Sequence, residues 1–238
     1  MKTLTLCLML IAICFPAFAQ NDRNDTHLAE GSGGILIIFN DINTNPERLT
    51  WVRSLIENEN AFGTIVIMRT TNTIPRGAFA HSNTEYVNFQ PTSRISVIPE
   101  EAFIENHHLK QIHLPQSVVT IEIDAFGYCS NLAEVKFGDS DDPSRLETIA
   151  EGAFFGTNIS RIYIPDSVRT IGHDILPETI QSIRLPANVS MGSGNPFHQI
   201  YVQNGRRAGV YISREGRWRY TNDVTEEEFA RDGWSFVQ

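Results

Sequence analysis

The chain has 238 residues, 41% hydrophobic and 20% charged, and a formal net charge of −9. An acidic balance of this size argues against a general nucleic-acid binder or a protein that coats anionic membranes. Beyond the N-terminus no apolar run is long enough to span a bilayer, and three cysteines are too few for a disulfide framework.

Met1 to Ala19 combines a basic Lys2, an apolar run from Leu4 to Phe15 and the small-x-small motif Ala17-Phe18-Ala19. It reads as a secretory signal cleaved after Ala19, which predicts a secreted, periplasmic or cell-surface product. Cys14 also permits a lipid anchor, but Ile13 stands where that chemistry expects a small residue. Cys7 and Cys14 would leave with the signal, so Cys129 remains and no internal disulfide can form.

Residues 20–34 are polar and contain glycine, and read as a flexible leader. Residues 35–73 are expected to form an N-terminal cap. It comprises a strand at Ile35 to Phe39, a helix from Pro46 to Glu59 capped by Asn45, and a repeat-like strand at Ile65-Val66-Ile67-Met68. Strand, helix, strand also opens nucleotide-binding folds, but Asn40-Asp41-Ile42-Asn43 lacks the glycines of a phosphate loop.

Residues 74–191 repeat. Ala-Phe recurs at Ala78-Phe79, Ala102-Phe103, Ala125-Phe126 and Ala153-Phe154, a period of about 23 residues that predicts a solenoid of stacked turns. The last interval is lengthened by Gly138 to Arg145, a polar insertion expected to bulge outward after a strand. A worn fifth copy begins at Ile171, with Ile175-Leu176 in place of Ala-Phe. Each unit carries a strand: Tyr86-Val87-Asn88-Phe89, Gln111-Ile112-His113-Leu114, Glu134-Val135-Lys136-Phe137, Arg161-Ile162-Tyr163-Ile164 and Ser182-Ile183-Arg184-Leu185. The second and fourth positions are apolar throughout and face the core. The first and third then form two outward rows. Tyr86, Gln111, Glu134, Arg161 and Ser182 make one; Asn88, His113, Lys136, Tyr163 and Arg184 make the other. At about 4.8 Å per strand, five rungs span roughly 20 Å. The candidate ligand face is therefore Asn88, His113, Lys136, Tyr163 and Arg184, flanked by Gln111, Glu134 and Arg161. Glu134 and Arg161 are placed to pair with each other.

Residues 192–238 read as a C-terminal cap with short strands at Ile200 to Val202, Gly209 to Ser213 and Arg217 to Thr221. A hairpin loop at Arg214-Glu215-Gly216 joins the last two, and a final helix is expected from Thr225 to Asp232.

The run I-x-x-x-A-F-x-x-C-x-x-L-x-x-V-x-F from Ile121 to Phe137, and L-P-x-S-V-x-x-I from Leu114 to Ile121, resemble the BspA-like leucine-rich repeats. The resemblance implies an α/β leucine-rich-repeat solenoid of about five repeats with a parallel sheet on one face, a strand-helix cap before it and a hairpin-helix cap after it. It also implies a secreted or surface-attached bacterial interaction protein, in some cases an adhesin. Pro follows the strand where more familiar leucine-rich repeats place an Asn ladder. Cys129 stands at the family's cysteine position and reads as a small buried filler.

Chemistry is sparse. G-x-S-x-G, H-E-x-x-H and Walker signatures are all missing from the sequence. His107, His108 and His113 diverge too much for a metal site, and Asp139, Asp141 and Asp142 lack the glycine and distal glutamate of a calcium loop. Glu134 with Asp139 or Asp166 could supply a glycosidase's two carboxylates, but nothing marks a cleft. No catalytic, cofactor or metal residue is assigned. The reading is a non-enzymatic interaction protein for an extracellular protein or glycan, with no nucleic acid involved and the oligomeric state open. The alternatives are a structural envelope or matrix spacer, or a carbohydrate-binding module using Tyr211, Trp218 and Tyr220.

Overall fold

The computed structural model describes residues 27–29, 34–38, 50, 62–67, 71–90, 92–139, 142–214 and 216–221. Strands β1 (His27–Ala29), β2 (Gly34–Ile38) and β3 (Phe62–Ile67) open it. Each turn then alternates a longer strand with a two-residue strand. The turns are β4 (Tyr86–Phe89) with β5 (Val97–Ile98), β6 (Gln111–Leu114) with β7 (Thr120–Ile121), and β8 (Glu134–Asp139) with β9 (Asp142–Pro143) and β10 (Thr148–Ile149). They continue with β11 (Arg161–Tyr163) and β12 (Thr170–Ile171), then β13 (Ser182–Leu185) and β14 (Ser190–Met191). Helix α1 (His198–Gln203) and a hairpin of β15 (Gly209–Arg214) and β16 (Arg217–Thr221) follow.

The long strands stack in parallel as β2-β3-β4-β6-β8, and the expected alternation holds: Val87, Ile112 and Val135 are buried between exposed neighbours, and Leu114 is buried beside exposed His113. Residues 27–29, inside the stretch read as a leader, pair antiparallel with β2. β3 is one more rung before the first Ala-Phe, with Ile65 opposite Val87 and Ile67 opposite Phe89. The short strands form a second parallel ladder that aligns Ile98, Ile121, Ile149, Ile171 and Met191. Turns between the two ladders close where Val118 N donates to Pro115 O and Val168 N to Pro165 O, both at 3.1 Å. Each such turn also buries its valine.

The Ala-Phe segments make a third wall. Phe79, Phe103 and Phe126 each donate their N–H to the Ala carbonyl of the next turn at 2.9 Å. The phenyl rings stack at 5.2 Å, 5.2 Å and 5.4 Å from Phe79 through Phe103 and Phe126 to Phe154. Offset stacks of this kind add about 0.5–1.5 kcal/mol each beyond burial. Three residues after Phe103, Phe126 and Phe154, a side chain donates to a backbone carbonyl of the Phe row. Asn106 Nδ2 donates to Phe79 O at 2.9 Å, Cys129 Sγ to Phe103 O at 3.1 Å, and Thr157 Oγ1 to Phe154 O at 2.8 Å. Burial pushes the Cys129 thiol up to about 12, as suits an inert filler. The residue before each Ala is left-handed in every turn, at Gly77, Glu101, Asp124, Gly152 and, in the worn copy, Asp174. For a non-glycine residue that conformation costs about 1–2 kcal/mol, which the inter-turn hydrogen bonds offset.

Three expectations change. The insertion does not only bulge: β8 runs on to Asp139 and pairs antiparallel with β9. The parallel run also stops there, and β11 pairs with β13 in a separate sheet, β11-β13-β15-β16. Finally, Ile200 to Val202 is helix, not strand. Phe197 and Tyr201 are both fully buried, the four-residue spacing of one helical face, whereas Val202 is exposed. The Tyr201 hydroxyl donates to Pro186 O at 2.8 Å and accepts from Val189 N at 2.9 Å, fastening α1 to the last turn. The hairpin stands where expected. The helices read at 46–59 and 225–232 and the signal segment lie outside the described residues, apart from a helical Thr50. Among the described residues no helix is long and apolar enough to cross a membrane.

Candidate functional site

The outward residues of β4, β6 and β8 surround a concavity of about 230 Å³ lined by Tyr86, Asn88, Gln111, His113, Glu134 and Lys136. Register brings Tyr86, Gln111 and Glu134 side by side, and His113 beside Lys136. The floor is the backbone over Val87 and Ile112, whose side chains point into the core. All six lining residues are exposed.

Several of these side chains are held in position. His113 Nε2 donates to Gly138 O at 2.8 Å, which draws the imidazole toward β8. Lys136 Nζ lies 2.8 Å from Glu134 Oε1 on the same strand. At the rim, Lys110 Nζ meets Glu85 Oε2 at 2.7 Å and sits 5.8 Å from the centre of the Tyr86 ring. The hydrogen bond between them raises the Lys110 pKa above its ordinary value and lowers that of Glu85. The concavity thus offers two amides, a phenol and a paired ammonium and carboxylate, a set suited to hydrogen-bonding an extended polar ligand.

Six of the ten row positions therefore converge, and the other four do not join them. Arg161 and Tyr163 are half-buried on β11, in the other sheet. Glu134 pairs with Lys136 on its own strand instead of reaching Arg161. Arg184 and Ser182 are buried, Arg184 at 1% exposure. The Arg184 guanidinium folds over the Tyr163 ring at 4.9 Å, donates to Ile164 O at 3.3 Å and pairs with Asp166. With β15 paired alongside β13, the last rung is interior to its sheet and not the end of an open row. The Asp166 carboxylate, one candidate acid, is taken up by this pair.

The carbohydrate face read at Tyr211, Trp218 and Tyr220 is also corrected. Tyr211 is core, at 0% exposure, and donates its hydroxyl to Arg207 O at 2.7 Å. Trp218 packs on Phe197 and Tyr220 on Tyr211. Sequence reasoning missed Glu85 and Lys110. They precede Tyr86 and Gln111 at the same repeat position with opposite charge, and that pairing was the available signal.

The chain matches the BspA type leucine-rich repeat region in six copies, over residues 55–179 and 96–204. It belongs to that family. The matched region starts at residue 55 and so takes in β3, the rung ahead of the first Ala-Phe. No curated protein matches the chain. Among solved structures it is similar to the pneumococcal vaccine antigen PcpA, at 24% identity and a TM-score of 0.48 over 68% of this chain and 35% of that one. A leucine-rich repeat protein from Bacteroides ovatus gives 25% identity and 0.48 over 55% and 33%. A leucine rich cell surface protein from Faecalibacterium prausnitzii gives 16% and 0.42 over 88% and 60%. This BspA-type chain spans about a third of the length of the first two.

Proposed function

We propose that this BspA-type repeat protein is a secreted or cell-surface, adhesin-like recognition protein without enzymatic activity. In this reading the concavity on β4, β6 and β8 binds an extracellular protein or glycan. The observation that carries it is the convergence of Tyr86, Asn88, Gln111, His113, Glu134 and Lys136 on the outward face of three consecutive strands. A solenoid spends its apolar residues on stacking and presents its sheet face to partners. The signal-like Met1 to Ala19 segment supports an extracytoplasmic location. The ion-paired carboxylates Glu134 and Asp166 support binding over acid-base catalysis.

The test is affinity capture from host-cell and matrix extracts with the full chain beside an Asn88→Ala/Gln111→Ala/His113→Ala/Lys136→Ala variant. The wild type should enrich a discrete partner that the variant loses by at least an order of magnitude, since clustered interface truncations commonly cost ~1 kcal/mol or more each. Equal capture by both proteins would remove the concavity from consideration.

A further inference from the structure

On this acidic chain one short stretch carries the opposite charge. Residues 206–219 contain Arg206, Arg207, Arg214, Arg217 and Arg219 against a single acidic residue, Glu215. All five arginines are exposed. Among the described residues, Arg206, Arg207, Arg217 and Arg219 form no ion pair. Other described basic groups do meet acids: Arg76 with Glu100 and Glu101, Lys110 with Glu85, Lys136 with Glu134 and Arg184 with Asp166.

The hairpin orients this charge. Trp218 lies 5.7 Å from Phe197 and Tyr220 lies 5.2 Å from Tyr211, so both alternate residues of β16 face the core. Arg217 and Arg219 therefore project from the opposite face, about 7 Å apart along the strand. Cross-strand register sets Arg214 opposite Arg217. Like charges directly opposed in a sheet repel, and an outward face that gathers Arg217 and Arg219 beside Arg214 suits a bound polyanion. Guanidinium groups present a planar fork that matches sulfate and carboxylate oxygens.

We propose that the outward face of the β15–β16 hairpin binds a polyanionic polysaccharide carrying sulfate or carboxylate groups. The exposed large apolar residues among those described, Tyr86, Val97, Ile123, Tyr128 and Val202, lie off the hairpin, so the face lacks the apolar centre of a protein interface. Its aromatic rings are turned inward, which leaves no platform for stacking nucleic-acid bases. This surface is separate from the concavity on β4, β6 and β8, and either can fail without the other.

The experiment measures retention of the full chain on immobilised heparin, a sulfated polysaccharide, across a salt series. Wild type should be retained at physiological ionic strength. Arg217→Gln/Arg219→Gln should weaken affinity on the order of tenfold and flatten the salt dependence by about two contacts. Asn88→Ala/His113→Ala should change neither. An unaltered thermal transition in each variant confirms the fold. No retention of wild type, or undiminished retention of the arginine variant, overturns the proposal. Equal capture of duplex DNA with the same loss in the arginine variant overturns it in favour of nucleic acid. A gain of on the order of tenfold in heparin affinity for Glu226→Gln/Glu227→Gln/Glu228→Gln also overturns it, because the chain's own acidic segment would then be the occupant.

Discussion

The Arg184 guanidinium lies 4.9 Å from the centre of the Tyr163 ring while its Nη1 pairs with Asp166. Arg184 is buried, but the Asp166 side chain is 67% exposed, so water screens one half of the pair. The two partners should therefore respond unequally. Arg184→Ala removes a stem and a stacked cation from an interior site and should cost about 2–4 kcal/mol in urea unfolding. Asp166→Asn leaves the cation on its aromatic face and should cost about 1 kcal/mol. Equal losses would show that the ion pair, and not the ring, holds the guanidinium.

Cys129 should be inert in the native protein. Its thiol is fully buried, donates to Phe103 O, and has its pKa pushed from 9.0 to about 12 by burial. A thiol reagent should label it only as fast as the chain opens, and fully in denaturant. The raised value also fixes a pH effect. Above pH 9 the unfolded thiol ionises while the folded one stays protonated, so the stabilisation present below that pH is lost as pH rises toward 12. The slope reaches about 1.4 kcal/mol per pH unit. Cys129→Ala should be less stable at pH 7 and lose less between pH 9 and 11. Parallel losses in the two proteins would refute the linkage.

The repeat wall was readable because its residues obey a period. Phe79, Phe103, Phe126 and Phe154 stack as their spacing implies, and the apolar strand positions are buried as alternation requires, apart from the half-buried Phe89 and Phe137. Alternation says which way a side chain points and not whether water waits there. For that reason Asn88, His113 and Lys136 reach the concavity while Arg184, at an equivalent position, is interior. The strand-to-helix change at Ile200 to Val202 has a related cause. Three residues of β propensity were outweighed by the burial of Phe197 and Tyr201 on one helical face. Left-handed Glu101, Asp124 and Asp174 carry no glycine to announce them, and at Glu101 and Asp124 the amide is held by a carbonyl of the next turn.

Gly172 marks a close approach between turns. A Cβ there would stand 2.7 Å from the Ala150 carbonyl carbon and closer still to Glu151 N, both backbone atoms that cannot swing aside. Gly172→Ala should therefore cost about 1–3 kcal/mol, the range of overpacking, where an exposed glycine would be neutral. Gly205, with open space around its Cβ position, serves as a control for crowding, although its φ of +68° adds its own strain to an alanine. A Gly172→Ala midpoint equal to wild type in urea would mean that the two turns can separate without loss.

The phenyl row gives a positional test. Phe126 stacks on both neighbours, at 5.2 Å and 5.4 Å with planes within 5° of parallel, whereas Phe79 among the described residues stacks on Phe103 alone. A leucine keeps most of the apolar volume but removes the ring contacts. At about 0.5–1.5 kcal/mol per stack, Phe126→Leu should lose roughly twice the stacking contribution that Phe79→Leu loses. Because each turn of a solenoid touches only its neighbours, the damage should also be local. Hydrogen exchange should quicken at the amides of Phe103 and Phe126, which donate to the Ala125 and Ala153 carbonyls of the adjoining turns, before it quickens at Val210 in the hairpin. Equal costs at Phe79 and Phe126, with exchange rising evenly along the chain, would mean that the turns unfold as one unit and that the row carries no positional energy.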